Sequence, residues 1–151
     1  MIAAITGPLV VQPQCWQVVF SRELSSRRWV NWLAWGEFKH VSAYAYVPFL
    51  HVWVFFDPHF RGTDIIVAAE GDPALAMISS RIRDAAVISV RRRPNPVVTQ
   101  GSLPLLGYCV PTVRRLVGVP GRTLSVSGFY LDCLACGGIP LVEANDGRPK
   151  I

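Results

Sequence analysis

The sequence predicts an α+β fold in which helices pack against an antiparallel sheet. Three observations favour this class: segments rich in β-branched and aromatic side chains come first, a short hairpin connection at residues 47–50 joins two of them, and segments with helical spacing come last. The chain of 151 residues is 51% hydrophobic and 17% charged, which is enough apolar material for one core and argues against disorder. We expect a single domain over residues 1–151, with its core in residues 16–136 and a C-terminal tail in residues 140–151.

Strands and helices are predicted from local composition and spacing. Five strands are expected, in residues 15–20, 40–46, 51–57, 64–69 and 86–90. The fourth of them has the apolar character of a buried strand. Four helices are expected, in residues 22–35, 72–83, 109–117 and 127–136. The second helix has Asp72 as its N-cap and Pro73 at its first helical position. Its apolar spacing predicts burial of Leu75, Ile78 and Ile82.

Cys109 stands where a proline-rich loop, residues 94–107, passes into the third helix. The first N–H groups of a helix have no intrahelical acceptors and form the positive end of its dipole, so they stabilise a thiolate. We expect Gly118 to end this helix and its arginines, Arg114 and Arg115, to face outward, while the buried side chains are Val110, Val113 and Val117. A packed structural thiol is the alternative, because free cysteines are among the most buried residues.

The hairpin between the second and third strands supplies a candidate base for this thiol. If its turn is centred between Pro48 and Phe49, His40 lies opposite Asp57 across the ladder. A carboxylate beside an imidazole fixes the ring's tautomer and stabilises the imidazolium, as the acid–base partner of a nucleophile requires. One residue of register slip would separate the two side chains. A histidine at the edge of the core, bonded to the backbone, is the alternative.

Three short sequences in this order resemble a known superfamily: FKHV at residues 38–41, WVFFDP at 53–58 and YCVPTV at 108–113. They are similar to the circularly permuted group of papain-like cysteine hydrolases, in which the histidine strand precedes the nucleophile helix. The resemblance is to small phage- or prophage-type proteins of this group, which are related in fold to cell-wall amidases and endopeptidases. It covers roughly residues 16–136.

The resemblance implies a cysteine hydrolase for an amide- or ester-containing substrate such as peptidoglycan or a protein. In this reading Cys109 is the nucleophile, His40 the base and Asp57 the residue that orients it. The superfamily also contains acyltransferases and members without activity. One departure concerns the oxyanion: the Cys109 N–H supplies one donor, but no side chain ahead of it corresponds to the glutamine of papain-like proteases. Association with a virion or another larger assembly is a further implication.

Basic residues give the chain a formal net charge of +5, and all of them except Lys39 and Lys150 are arginines. The sequence predicts a substrate- or partner-binding patch for phosphate or acidic groups, formed by Arg91, Arg92, Arg93, Arg114 and Arg115. A solvated strand end is the alternative for the first three. Nucleic acid is not an expected partner, because the net charge is modest and no nucleic-acid-binding motif is recognisable.

The remaining patterns exclude other classes of function. His51 and His59 lack the spacing of a zinc site, and the CxxC of Cys133 and Cys136 ends a helix where the dipole disfavours a thiolate, so we predict neither a metal nor another cofactor. The apolar stretch at residues 41–56 is too short for a membrane span, and no secretory signal is visible. We expect a cytoplasmic protein with no membrane partner. Two alternatives to the hydrolase stay open: a non-catalytic structural or interaction protein that keeps the fold, and a basic nucleic-acid-associated module.

Overall fold

The computed structural model describes residues 13–22, 36–59, 62–92 and 109–143. These residues form a six-stranded antiparallel sheet in the order β4-β3-β2-β1-β5-β6. The strands are β1 (Cys15–Ser21), β2 (His40–Val47), β3 (Val52–His59), β4 (Gly62–Ala69), β5 (Ala85–Arg91) and β6 (Ile139–Val142). The helices are α1 (Asp72–Ile82), α2 (Cys109–Val117) and α3 (Val126–Ala135). The predicted α+β class is confirmed, while the helix predicted in 22–35 falls almost wholly outside the described residues.

Helices pack on both faces of the sheet, because successive side chains of a strand point to opposite faces. On one face Val18 and Phe20 of β1 belong to a large apolar cluster with α2 and α3. On the other face Val19, between them, belongs to a smaller cluster with Phe55 of β3 and the partly buried side chains of α1. The sheet is therefore the middle layer, and α1 and α2 lie on different sides of it.

β4 is an edge strand with its side chains exposed. Ile65 is 63% exposed, Ile66 40% and Val67 61%. Among the described residues β4 pairs only with β3. The prediction that residues 64–69 form a buried strand is therefore wrong, because apolar composition cannot reveal that a strand has a neighbour on one side alone.

α1 presents a different stripe to the sheet from the one predicted. Leu75 is 58% exposed, whereas Ala74 is fully buried and Ile78 and Ile82 are partly buried. The N-cap position is Gly71 rather than Asp72. The inward stripe follows the spacing of residues 74, 77, 78, 81 and 82, as a helix on a sheet requires. The predicted burial of Leu75 is wrong, because the neighbouring residue Ala74 faces the sheet instead.

α2 and α3 follow their predicted bounds closely. α2 begins at Cys109 and buries Val110, Val113 and Val117, and Gly118 ends it with a left-handed φ of 73°. Ser125 caps α3 by accepting a hydrogen bond from the Gly128 N–H at 3.1 Å. None of the described helices is long and apolar enough to cross a membrane.

The segment after α3 contains a strand that the sequence analysis placed in the tail. Gly137 and Gly138 turn the chain back, and β6 then pairs with β5 at the sheet edge opposite β4. Gly138 has no room for a side chain, since a Cβ there would meet Ile88 and the Cys133 carbonyl. The first residues of the predicted tail, from 140 to 142, therefore belong to the sixth strand of the sheet.

Candidate functional site

His40 and Asp57 lie at the same end of the sheet, where β2 begins and β3 ends. The observed register pairs Ala43 with Phe56, which aligns Asp57 with Ser42 rather than with His40. The predicted register is thus wrong by two residues, because the turn spans residues 48–51 instead of centring between 48 and 49. Because side chains alternate with a period of two, a register error of two residues leaves His40 and Asp57 on the same face of the sheet. There they are diagonal neighbours, which are close enough to touch. The His40 Nε2–H donates to Asp57 Oδ1 at 2.7 Å.

Cys109 completes the cluster from α2. It is the first residue of that helix, is 9% exposed and packs at the margin of the larger apolar cluster. Hydrogen bonding and charge from its sulfur contribute to the raised pKa of the His40 ring, so the two groups lie beside each other. Because Asp57 occupies Nε2, Nδ1 is the ring nitrogen left for the sulfur. The structure thus brings together the three residues that the sequence singled out, with the histidine between the carboxylate and the thiol.

The charges of this cluster support one another. Burial lowers the pKa of His40, but hydrogen bonds to Asp57 and Cys109 and their negative charges outweigh it and raise the pKa to about 9. Burial raises the pKa of Asp57, but the hydrogen bond and charge of His40, followed by the charges of Arg81 and His59, hold it below its usual range. At neutral pH the ring is therefore an imidazolium beside an ionised carboxylate.

The helix start adds donors beside the sulfur. The N–H groups of Cys109 and Val110 open α2 and have no acceptors within the helix, whereas Pro111 has no N–H to offer. Both groups lie at the positive end of the helix dipole. An acyl group on the sulfur would place its carbonyl oxygen near them. The loop predicted in residues 94–107 lies outside the described residues.

Arg114 is not part of an outward basic patch. It donates to Asp132 Oδ2 at 2.7 Å, to the Pro120 carbonyl at 2.9 Å and to Thr123, and its guanidinium lies 4.7 Å from the centroid of the Phe129 ring. The prediction that Arg114 faces outward is wrong, because helical spacing does not show that α3 carries an acidic partner for it. The residue fastens the connection between α2 and α3, while Arg115 is exposed.

Arg91 and Arg92 lie away from the thiol. Arg91 ends β5 opposite Cys15 of β1, whereas His40 lies opposite Ser21 at the other end of that strand. Arg92 follows β5, and its N–H donates to the Gln14 carbonyl at 2.9 Å. Arg93 lies outside the described residues. Of the predicted patch, the described residues Arg91 and Arg92 are therefore not beside the candidate site.

Two residues near the site were missed by sequence reasoning. Arg81 of α1 approaches Asp57 Oδ2 at 4.0 Å, and His59 Nδ1 lies 3.3 Å from the Asp57 carbonyl oxygen. Helical spacing contains a usable signal for Arg81, since it falls on the stripe of Ala74 and Ile78 that faces the sheet. The period of two along β3 contains a signal for His59, since His59 and Asp57 are two residues apart on one strand and share a face.

The other histidine and cysteine patterns have structural surroundings. His51 lies at the hairpin turn near Glu70, and Cys133 is buried in the core, where burial raises the pKa of its thiol to about 12. Such a thiol stays protonated, in agreement with its interpretation as a packing residue. Within the described ranges, no three His, Cys, Asp or Glu side chains are grouped so that they could hold a metal ion.

Comparisons with protein-family models, with curated proteins and with solved structures found no match to this chain.

Proposed function

We propose that this chain is a cysteine-dependent hydrolase of amide or ester bonds with a permuted papain-like fold. The single observation that carries the proposal is the chain of contacts from Asp57 through His40 to Cys109 at the start of α2. A carboxylate, an imidazolium and a thiol at a helix N-terminus are the groups that activate a sulfur nucleophile. Peptidoglycan and protein amides are the substrates that the resemblance implies, and they belong to the proposal.

The proposed reaction begins with the Cys109 thiolate beside the protonated His40 ring. The Cys109 thiolate attacks the substrate carbonyl carbon, and the carbonyl π electrons move to oxygen. The tetrahedral intermediate collapses, the bond to the leaving amine or alcohol breaks, and His40 gives that group its proton. Water then attacks the thioester and gives a proton to His40, the carbon–sulfur bond breaks, and a carboxylic acid leaves with the thiolate restored. Asp57 keeps the ring oriented through both steps.

Acylation by an activated ester tests this proposal directly. We expect p-nitrophenyl acetate to release p-nitrophenol in a burst of one equivalent, with one acetyl group on Cys109 identified by peptide mass mapping. The experiment uses a Cys15→Ser background, because Cys15 is an exposed thiol that reacts without assistance. Cys109→Ala should abolish the burst, and His40→Ala should slow it by about 100-fold.

Cys136→Ser is the matched control, since it removes a partly exposed thiol outside the cluster. It should leave the burst unchanged. Acetyl groups found on other residues while Cys109 stays free would contradict the proposal.

An interaction protein is the second candidate, favoured by β4. An edge strand with exposed Ile65 and Val67 can accept a strand from another chain through the backbone groups that no described residue pairs. If Cys109 is never acylated in the experiment above, this role becomes the better account of the fold.

A further inference from the structure

Arg81 is a charged residue on the face of α1 that packs against the sheet. It shares its stripe with Ala74 and Ile78, and its side chain is only 21% exposed. Arginine seldom occupies such a position without a partner, because a desolvated guanidinium needs compensating charge or hydrogen bonds. Its placement therefore requires a partner on the sheet.

The sheet supplies two groups for Arg81. Its Cζ lies 5.0 Å from the centroid of the ring of Phe55, which is fully buried, and its Nη2 lies 4.0 Å from Asp57 Oδ2. Phe55 and Asp57 are two residues apart on β3 and point the same way. The aromatic ring thus supports the flat guanidinium at the height of the carboxylate.

Asp57 has one oxygen for each cation. Oδ1 accepts from His40 at 2.7 Å, while Oδ2 faces Arg81. A second carboxylate, Asp64, is the partner of Asp57 in the β3–β4 register, and His59 lies within 3.9 Å of Asp64. Like charges directly opposite each other on neighbouring strands repel, so Asp64 disfavours the present position of the Asp57 carboxylate. A cation on the side of Asp57 away from Asp64 would offset this repulsion.

We propose that Arg81 is a positioning residue that holds the Asp57 carboxylate so that Oδ1 faces His40. This inference rests on the proposed function, because it assigns Arg81 a part in orienting the ring beside Cys109. Arg81 touches neither the thiol nor a reacting atom. It acts through Asp57 alone.

Titration of His40 by NMR tests the proposal without any substrate. In Arg81→Met, whose side chain still covers Phe55, we expect the pKa of His40 to fall by about one pH unit, because Asp57 is released from the ring. Arg81→Gln should give a similar fall, and Arg81→Lys, which keeps the charge, a smaller one. Acetylation of Cys109 should slow about tenfold in the Met variant and recover partly in the Lys variant.

A raised or unchanged pKa of His40 would show that Arg81 does not position Asp57. If Arg81 were only a nearby positive charge, its removal would raise the pKa of His40 or leave it unchanged, and either outcome overturns the proposal. Arg83→Met, an exposed arginine after the same helix, is the matched control and should leave the titration unaltered. Circular dichroism checks that each variant is folded, and any folded member of the Met, Gln and Lys series decides the sign.

The two proposals fail separately. If Cys109 is never acetylated but the pKa of His40 falls in Arg81→Met, the positioning role stands and the hydrolase does not. If acetylation proceeds and the titration of His40 does not respond, the hydrolase stands and the role of Arg81 is refuted.

Discussion

A histidine–carboxylate pair lies at each end of the β2–β3 hairpin, and the two pairs differ in almost every physical respect. At the sheet end that contacts α2, His40 and Asp57 are 2.7 Å apart with side chains 24% and 34% exposed. At the turn, His51 and Glu70 are 3.5 Å apart with side chains 77% and 59% exposed. The residue types are equivalent, so the difference comes from burial and from the third partner.

The third partner differs most. His40 faces a thiol at a helix start, whereas His51 faces the Tyr46 hydroxyl, which donates to Glu70 at 2.8 Å. Water screens the pair at the turn, and exposed ion pairs contribute little. The comparison shows that a histidine–carboxylate pair becomes a candidate for chemistry only where the fold partly buries it beside a nucleophile.

The largest difference between the two pairs is expected in the reactivity of Cys109. His40→Ala should slow alkylation of Cys109 by iodoacetamide at pH 7 by about 100-fold, because the imidazolium that stabilises the thiolate is lost. His51→Ala should change the rate less than twofold, since that ring lies at the other end of the hairpin. Mass spectrometry of the Cys109 peptide over time measures both rates. If Cys109 were alkylated at the same rate in His40→Ala and His51→Ala, His40 would have no special effect on the thiol.

Of the two pairs, we expect only His40 and Asp57 to make the stability of the fold depend on pH. The pKa of His40 is raised from 6.5 to about 9 in the folded state. The stabilisation is therefore fully present below pH 6.5 and is lost as the pH rises through about 9, and it amounts to about 3 kcal/mol. Urea unfolding at intervals between pH 6 and 10 measures this loss. In His40→Ala the free energy of unfolding should vary little between pH 6 and 10. If His51→Ala removed the pH dependence as well, the effect could not be assigned to His40 and Asp57.

Asp57→Asn should lower the free energy of unfolding at pH 7 by about 2 kcal/mol, because the charged hydrogen bond to the His40 imidazolium is lost. Glu70→Gln, the matched change at the turn, should have an effect of about 0.5 kcal/mol or less. Urea denaturation of both variants gives the two values. A larger effect at Glu70 would reverse our ranking of the pairs.

The site was more predictable than the surfaces around it. Helical spacing and capping rules placed Cys109 at the start of α2, and strand periodicity placed His40 and Asp57 on one face even though the register was wrong by two residues. A register error of one residue would have placed His40 and Asp57 on opposite faces of the sheet. The prediction that they meet held because the error was two residues, which is the period of a strand.

Neighbour relations could not be predicted in the same way. The exposure of β4 and the inward turn of Arg114 depend on which element lies alongside, and a single sequence does not contain this information. Helical spacing indicates that Arg81 faces the sheet, but it does not show that Asp57, far away in sequence, is the partner of Arg81 there.

The smallest effect is expected at the turn itself, where His51 has a left-handed φ of 51°. A side chain at this φ costs about 1–2 kcal/mol, and glycine avoids that cost while losing about 0.5–1 kcal/mol through its greater freedom in the unfolded chain. His51→Gly should therefore stabilise the fold by about 0.5 kcal/mol, read from the midpoint of urea unfolding. Phe49→Gly, in the same turn without a positive φ, should instead be destabilising. If His51→Gly weakened the fold as much as Phe49→Gly does, the contacts of His51 with Tyr46 and Glu70 would outweigh its backbone strain, and the pair at the turn would contribute more than we expect.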